Sequence, residues 1–440
     1  MSDTIAAIAT PMAPAAIGIL RLSGPEAIAV LDRVFTPAQG APMAQRADRM
    51  LVYGTLRGTD GAVIDHCLAT VSRSPHSYTG EDTAELQCHG SPTLLVMGLE
   101  SLFAAGARQA LAGEFTRRAF LNGKLDLTRT EAVADLIHAQ SPAAVRQAAG
   151  QLGGALAHTI EDIYQGLTDL MAHFHAVLDY PDEDIEPFEA EEISRSLTDA
   201  ALKLDRLAGS YRRGRGLVEG IPCAIIGRPN AGKSTLFNAL VGYDRAIVTP
   251  IAGTTRDTVE ERLTLGNILL RLIDTAGLRD AEDTVEQAEL VLVVVDGSRP
   301  LTPEDEDALQ LGLSAPHCIV VENKADLASA SPLPGEINPV RLSALTGDGL
   351  DELELAIENL FPEDTGLRPG SLLTNARQAE AAGRARSCVA RAAEALAMGM
   401  SPDAVLSDVE EALSALAELT GRLVREDVTA RIFERFCVGK

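Results

Sequence analysis

The sequence predicts three parts: an N-terminal α+β domain, a helical domain interrupted in sequence, and a Ras-like P-loop α/β domain inserted into the interruption. Three observations carry this. Residues 227–234 read Gly-Arg-Pro-Asn-Ala-Gly-Lys-Ser between an apolar run, Ile221–Ile226, and a helix-like stretch, Thr235–Leu240. Residues 220–362 alternate strand-like and helix-like segments, as a doubly wound parallel sheet does. Blocks rich in Ala, Leu and charge flank that segment, from Thr128 to about Leu217 and from Pro369-Gly370 to Lys440. Two helical blocks around one insert are most simply one discontinuous domain, and an insert so placed transmits its shape changes to both ends. The expected boundaries are 1–118 (α+β), 119–217 (helical, first part), 218–365 (P-loop domain) and 366–440 (helical, second part).

In the N-terminal part, Thr4–Thr10, Ile17–Leu22, Met50–Leu56, Val63–Val71 and Thr83–His89 read as short strands. Pro25–Phe35 and Pro92–Ala105 read as helices between them. One acidic loop, Asp179–Asp184, breaks the first helical block.

The loop at 227–234 has the strand–loop–helix context that phosphate binding needs. Glycines let backbone N–H groups turn toward phosphates, and the following helix adds its positive N-terminal pole. Lys233 is placed for the β- and γ-phosphates, and the Ser234 hydroxyl for Mg²⁺, with Asn230, Ala231, Gly232 and Thr235 completing the cradle. Asp274-Thr275-Ala276-Gly277 closes the apolar run Ile268–Ile273, which suits a metal-facing aspartate and a γ-phosphate-facing amide. Asn323-Lys324-Ala325-Asp326 follows Ile319-Val320-Val321. A carboxylate at Asp326 accepts from the N1 and N2 donors of guanine, a pair that adenine lacks, so the motif selects GTP over ATP. Ser343-Ala344 supplies the loop behind the base. Each tetrapeptide alone is weak; four in order within about 120 residues define a guanine-nucleotide domain.

At 440 residues the chain has room for about three domains, and its 46% hydrophobic and 23% charged content is ordinary for a soluble protein. Its six cysteines show no Cys-x-x-Cys spacing, which fits a reducing compartment and offers neither a disulfide framework nor a metal motif. Met1-Ser2-Asp3 opens no signal peptide and no run is long enough for a membrane span, so a cytoplasmic protein is expected. A formal charge of −25 argues against a general nucleic-acid coat but leaves room for a local basic patch. The candidates are Arg117-Arg118 with Lys124 and Arg129, and the cluster Lys203, Arg206, Arg212, Arg213 and Arg215; for the second, a solvated helix face is the better reading.

Four further blocks resemble the MnmE (TrmE) family of tRNA-modification GTPases. They are Gly18–Gly24, Tyr78-Thr79-Gly80-Glu81-Asp82 leading to Glu85–Gly90, Gly113–Leu127 (the most specific), and the tail Phe436-Cys437-Val438-Gly439-Lys440. The resemblance runs from end to end and implies GTP hydrolysis serving tRNA. Family members act with the flavoprotein MnmG, in a heterotetramer, to attach a carboxymethylaminomethyl or aminomethyl group to carbon 5 of the wobble uridine. The family's N-terminal domain forms a homodimer and binds a one-carbon donor, 5-formyl- or methylene-tetrahydrofolate. Matching positions for the folate are Arg21, Glu85, Lys124 and Lys440. Cys437 suits either a nucleophile or a small packed residue, and the second is favoured.

In Ras-like hydrolysis a glutamine orients the attacking water and an arginine stabilises the transition state. Leu278 stands directly after Asp274-Thr275-Ala276-Gly277 and does neither. The resemblance implies that K⁺ replaces the arginine, held by Asn230 with Thr249, Ile251 and Thr254 in the loop Thr249-Pro250-Ile251-Ala252-Gly253-Thr254-Thr255. It also implies Thr255 as second Mg²⁺ hydroxyl, and Glu286 as the water-orienting group beside Lys233 in catalysis. Only 15 residues separate Asp274 from Leu290, fewer than the family usually has. Either the second switch is trimmed, or Glu286 is not that glutamate. Met12–Ala16 also departs from the family's usual Gly-Arg-Gly stretch, at the rim of the expected folate pocket. The competing readings are a ribosome-assembly or other RNA-associated switch GTPase, which leaves the N-terminal domain unexplained, and a GTP-regulated folate enzyme acting on a small molecule.

Overall fold

The computed structural model describes residues 3–179, 190–243, 247–249, 260–273, 281–328, 337–362, 368–422, 432–433, 436 and 439. The chain forms two compact units, residues 1–134 with 420–440, and residues 135–419.

The first unit holds β1 (Ile5–Ile8), β2 (Ala15–Ser23), α1 (Ala27–Val34), β3 (Phe35–Pro37), β4 (Val52–Arg57), β5 (Val63–Ser72), β6 (Thr83–Gly90), α2 (Pro92–Ala104), β7 (Arg108–Gln109) and α3 (Glu114–Leu121). The division between units falls inside α4 (Leu127–His138). The sheet runs β3-β4-β5-β6-β2-β1-β7, antiparallel except for the short β1–β7 pair. Alternation in β5 sends Asp65, Cys67, Ala69 and Val71 to the buried face. There α1 and α2 cover a core that includes Leu20, Leu31, Leu86 and Leu102.

The block from Gly113 owes part of its character to structure. Arg118, only 8% exposed, bonds Glu81 and Glu114 at 2.9 Å each. Arg108 takes both oxygens of Glu114, at 2.6 and 2.8 Å, and both arginines reach Asp3. Arg118 is therefore neutralised in the interior and leaves the basic patch that the sequence suggests. In that patch Arg129 also pairs, with Asp126. The strands β3 and β7, of three and two residues, escape a periodicity reading because neither is long enough to show a period.

The second unit continues with α5 (Pro142–Leu152), α6 (Ala155–Asp179), α7 (Ala190–Gly209), α8 (Tyr211–Glu219), β8 (Ile221–Ile226), α9 (Lys233–Val241), β9 (Ile247–Thr249), β10 (Glu260–Leu265), β11 (Ile268–Ile273), α10 (Ala281–Gln287), β12 (Leu290–Asp296), α11 (Pro303–Leu313), β13 (His317–Asn323), β14 (Val340–Arg341), α12 (Leu350–Leu360), α13 (Ala376–Ala397) and α14 (Pro402–Thr420). Starts are set locally: Ser141 and Asn375 accept the Ala144 and Gln378 amides, and Thr302 with Asp305 forms a capping box before α11. Helices α6, α7, α13 and α14 share one core.

The sheet order is β14-β13-β12-β8-β11-β10-β9. Five strands are parallel, and β12 is buried on both faces, as its run of Leu and Val requires. The strictly parallel expectation misses one feature: β10 pairs antiparallel with both β11 and β9. A two-residue turn at Gly266-Asn267, with Gly266 at φ 53°, permits the β10–β11 hairpin.

The insert is fastened where the chain re-enters the helices. The Gln147 amide donates to Leu372 O (3.1 Å) and accepts from Gly370 N (2.8 Å), while Leu373 N donates to Ser210 Oγ (3.1 Å). A Cβ on Gly214 would lie 2.1 Å from Leu373 O, so the returning segment crosses α8 at backbone contact. Cations of the second suspected patch are paired, Lys203 with Asp199, Arg212 with Glu289 and Arg215 with Glu219, which fits a solvated helix face. Among the described residues no helix is long and apolar enough to cross a membrane.

Candidate functional site

The strand β8 ends at Ile226 and the chain turns through 227–232 into α9. Gly227, Asn230 and Gly232 adopt φ 145°, 64° and 102°. A Cβ on Gly232 would sit 2.1 Å from Asn323 Nδ2, so glycine is required there twice over. No side chain caps α9, which leaves its first-turn N–H groups available to an anion. The Lys233 ammonium lies over the loop and donates to Gly227 O (2.6 Å) and Arg228 O (3.0 Å), and its burial lowers its pKa. Ser234 and Thr235 are both exposed in the same first turn. Uncapped amides, a curled lysine and a helix-start hydroxyl fit a nucleotide phosphate with its Mg²⁺.

The base-reading motif is locked to this loop. Asn323, at the end of β13, donates to Ala231 O (3.0 Å), while its Oδ1 accepts from Lys324 N (2.8 Å) and Ala344 N (3.0 Å). Lys324, at φ 67°, donates to Asn230 O (3.1 Å) and to Asp296 Oδ2 (2.8 Å). Ser343 Oγ donates to Asp326 Oδ1 (2.7 Å), fixing an otherwise exposed carboxylate.

The sequence reading passed over Asp296, Arg228 and Asp305. Asp296, 2% exposed, also accepts from Ser298 N and Oγ. Burial alone would raise its carboxyl, but Lys324 and Ser298 hold it below the usual carboxylate range. Arg228 pairs with buried Asp305 at 3.1 Å and lies 3.6 Å from Asp296. The available signal was the aspartate ending the apolar run of β12, at the same sheet end as the phosphate loop.

Thr249 belongs to β9, whereas Pro250–Thr255 and Asp274–Gly277 lie outside the described residues, as do Cys437 and Lys440. Glu286 does not join the site. It is exposed near the end of α10 and lines a cavity of about 380 Å³ with Leu311, Ser314, Ala315 and Pro316. Those residues precede β13, and Leu290 pairs with Cys223 and His317 near the starts of the parallel strands. The phosphate loop leaves their opposite ends, a β12 length or about 20 Å away. The short link between β11 and β12 explains this: α10 leads straight into β12, with no slack to hold Glu286 at the phosphates.

A second constellation occupies the first unit. Arg21 and Glu85 are register partners on β2 and β6, bonded at 2.8 Å and each partly exposed. Arg21 also donates to Gly439 O (3.3 Å) and sits 5.9 Å from the Phe115 ring centre. The tail therefore folds back onto the N-terminal sheet; a Cβ on Gly439 would meet Ile8 O at 2.4 Å. Tyr78 hydrogen-bonds Thr116 at 2.9 Å, and burial raises its pKa against the pull of Arg21. Lys124 is placed differently, its ammonium donating to Pro75 O at 2.9 Å. A guanidinium and a carboxylate on a partly open face, the first backed by the buried Phe115 ring, fit a ligand carrying both anionic and N–H groups.

A mononucleotide-binding sheet with its phosphate loop bonded to a guanine-reading motif makes this a P-loop GTPase. Residues 4–124 match the family described as GTP-binding protein TrmE N-terminus, and residues 127–437 match the MnmE helical domain. Proteins named tRNA modification GTPase MnmE align over the whole chain. That of Symbiobacterium thermophilum is 43% identical, covering 100% of this chain and 99% of its own. That of Roseiflexus sp. is 41% identical with the same coverages, and that of Chloroflexus aurantiacus 42% identical with 100% of both covered. The chain belongs to the MnmE family of tRNA modification GTPases.

Proposed function

We propose that this protein hydrolyses GTP to drive modification of the wobble uridine of tRNA. In this reading it works as a homodimer with an MnmG-type flavoprotein and adds a carboxymethylaminomethyl or aminomethyl group at carbon 5. The observation that carries the GTPase half is the bonding of Asn323 and Lys324 to the carbonyls of Ala231 and Asn230, which couples guanine recognition to phosphate seating. The modification half rests on whole-length family membership.

Each residue then has a task. Asp326, oriented by Ser343, accepts the guanine N–H pair. Lys233 exchanges its two carbonyl partners for phosphate oxygens, trading neutral acceptors for anionic ones. Ser234 would hold Mg²⁺ together with Thr255, and the metal would offset charge at the transferred phosphoryl group. With Leu278 in place of a glutamine, K⁺ bound by Asn230, Thr249, Ile251 and Thr254 would supply the positive charge that hydrolysis needs. An amide or carbonyl oxygen suits a large monovalent cation because it adds no charge to favour Mg²⁺. The Arg21–Glu85 pair, with Phe115 beneath it, would bind the tetrahydrofolate donor, Lys440 contributing from the returning tail. Lys124 would serve the same ligand on leaving Pro75.

Nucleoside analysis of tRNA from cells lacking the protein tests the whole reading. Loss of the modified wobble uridine, restored by the intact gene but not by Lys233→Ala, is expected. Unchanged tRNA in the deletion would overturn it. Turnover should also fall strongly when K⁺ is replaced by Na⁺ at equal ionic strength, and equal rates would remove potassium from the mechanism.

A further inference from the structure

Three side chains with metal-binding donors converge on the helix-covered face of the first sheet, and neither proposed activity uses them. β5 and β6 pair with Leu68 opposite Gln87; continued by one step, that register sets Cys67 across from Cys88, with Asp65 two residues along on the same face. All three are buried, at 8% exposure for Asp65, 4% for Cys67 and 2% for Cys88. One Asp65 oxygen and the two sulfurs lie within 4.8 Å of one another. His89 follows directly but on the exposed face of β6, its side chain 72% exposed; its Nδ1, 2.8 Å from Asp65 Oδ1, holds that carboxylate from outside the cluster.

We propose that Asp65, Cys67 and Cys88 form a site for a borderline-soft divalent cation, Zn²⁺ above all. The donor set is two sulfurs and one carboxylate oxygen, kinds that Zn²⁺ takes, with a water to complete four-coordination. Adjacent corners of such a tetrahedron are about 3.3–3.8 Å apart for bonds of about 2.0–2.3 Å, so the cluster needs about an ångström of contraction. The carboxylate is already aimed: Asp65 Oδ1 accepts from His66 N (2.8 Å) and Oδ2 from His89 N (2.9 Å). Outer-shell bonds of this kind fix a ligand before the metal arrives. Two buried cysteines alone would pass as small apolar packing, but a buried aspartate beside them would not. The ion would tie β5 to β6 three residues from Glu85, steadying the strand that carries it. Motif spacing hides the site because its ligands meet through strand register.

The test uses the full-length chain, stripped with chelator, kept reduced and titrated with Co²⁺. The expected result is a thiolate-to-cobalt charge-transfer band saturating at about one equivalent and abolished by Zn²⁺. The band should vanish in Cys67→Ala/Cys88→Ala and weaken at least about tenfold in affinity in Asp65→Asn. Circular dichroism checks that each variant is folded. The unmodified protein decides if a variant fails: no charge-transfer band in it overturns the proposal. So does a band unchanged in the folded double variant.

Discussion

The guanine-nucleotide site draws on contiguous tetrapeptides at the ends of neighbouring parallel strands, whereas the Arg21 constellation joins residues 64 and 418 positions apart in the chain. In the first, backbone conformation carries the function: four positive φ values, an uncapped helix start and carbonyls bonded by Asn323 and Lys324. In the second, side chains carry it, and cross-strand register with the return of the tail decides which of them meet. A backbone-built site leaves a signature in glycine spacing. A register-built site leaves almost none.

The comparison is broken most sharply at Lys233. Lys233→Ala should lower GTP turnover by at least about a hundredfold, because a preorganised cation at the phosphates is lost, while folate affinity of the first unit stays unchanged. Loss of both activities together in a folded variant would mean that the two sites are not separable. Isothermal titration with a tetrahydrofolate and a phosphate-release assay read the two halves.

Asp326→Asn should weaken GTP binding by about 10- to 150-fold, the loss of a charged hydrogen-bond pair, and should favour xanthosine triphosphate. Ser343→Ala, which removes only the 2.7 Å bond that aims Asp326, should cost about fivefold. Equal losses in the two variants would show that the serine does more than orient the carboxylate.

Arg21→Ala should weaken folate binding by about tenfold or more through loss of a charge-assisted contact, leaving GTP turnover untouched. An undiminished folate affinity would move that site elsewhere on the sheet.

Acid should act on the first unit through Glu114. Burial alone would raise that carboxyl, but Arg108, the Leu111 amide and Arg118 hold it at about 2, against 4.5 for a free glutamate. A depressed folded-state pKa stabilises fully above the unfolded value and is lost as pH falls through the folded one. The melting temperature should therefore drop between about pH 4.5 and pH 2, and Glu114→Gln should flatten that slope. The smallest effect is expected at Glu286: placed at the far end of β12, Glu286→Ala should keep turnover within about twofold, since no preorganised charge is removed. A collapse of turnover would show that α10 moves to the phosphates during hydrolysis.

Sequence by itself determined the class of the nucleotide site, because phosphate loops and guanine readers need particular residue types at fixed local spacing. It also determined the parallel core, since strands buried on both faces must be continuous apolar runs such as Leu290–Val295. It pointed to Arg21 and Glu85 only through family likeness. Tertiary structure alone decided that these two are register partners, that Arg118 is buried among carboxylates rather than offered to nucleic acid, and that the tail lies on the N-terminal sheet. It alone set Glu286 at the wrong end of the strands for chemistry at the phosphates. The physical reason is common to these cases: local spacing fixes conformation, while long-range pairing fixes which charges meet, and no single stretch of sequence encodes that pairing.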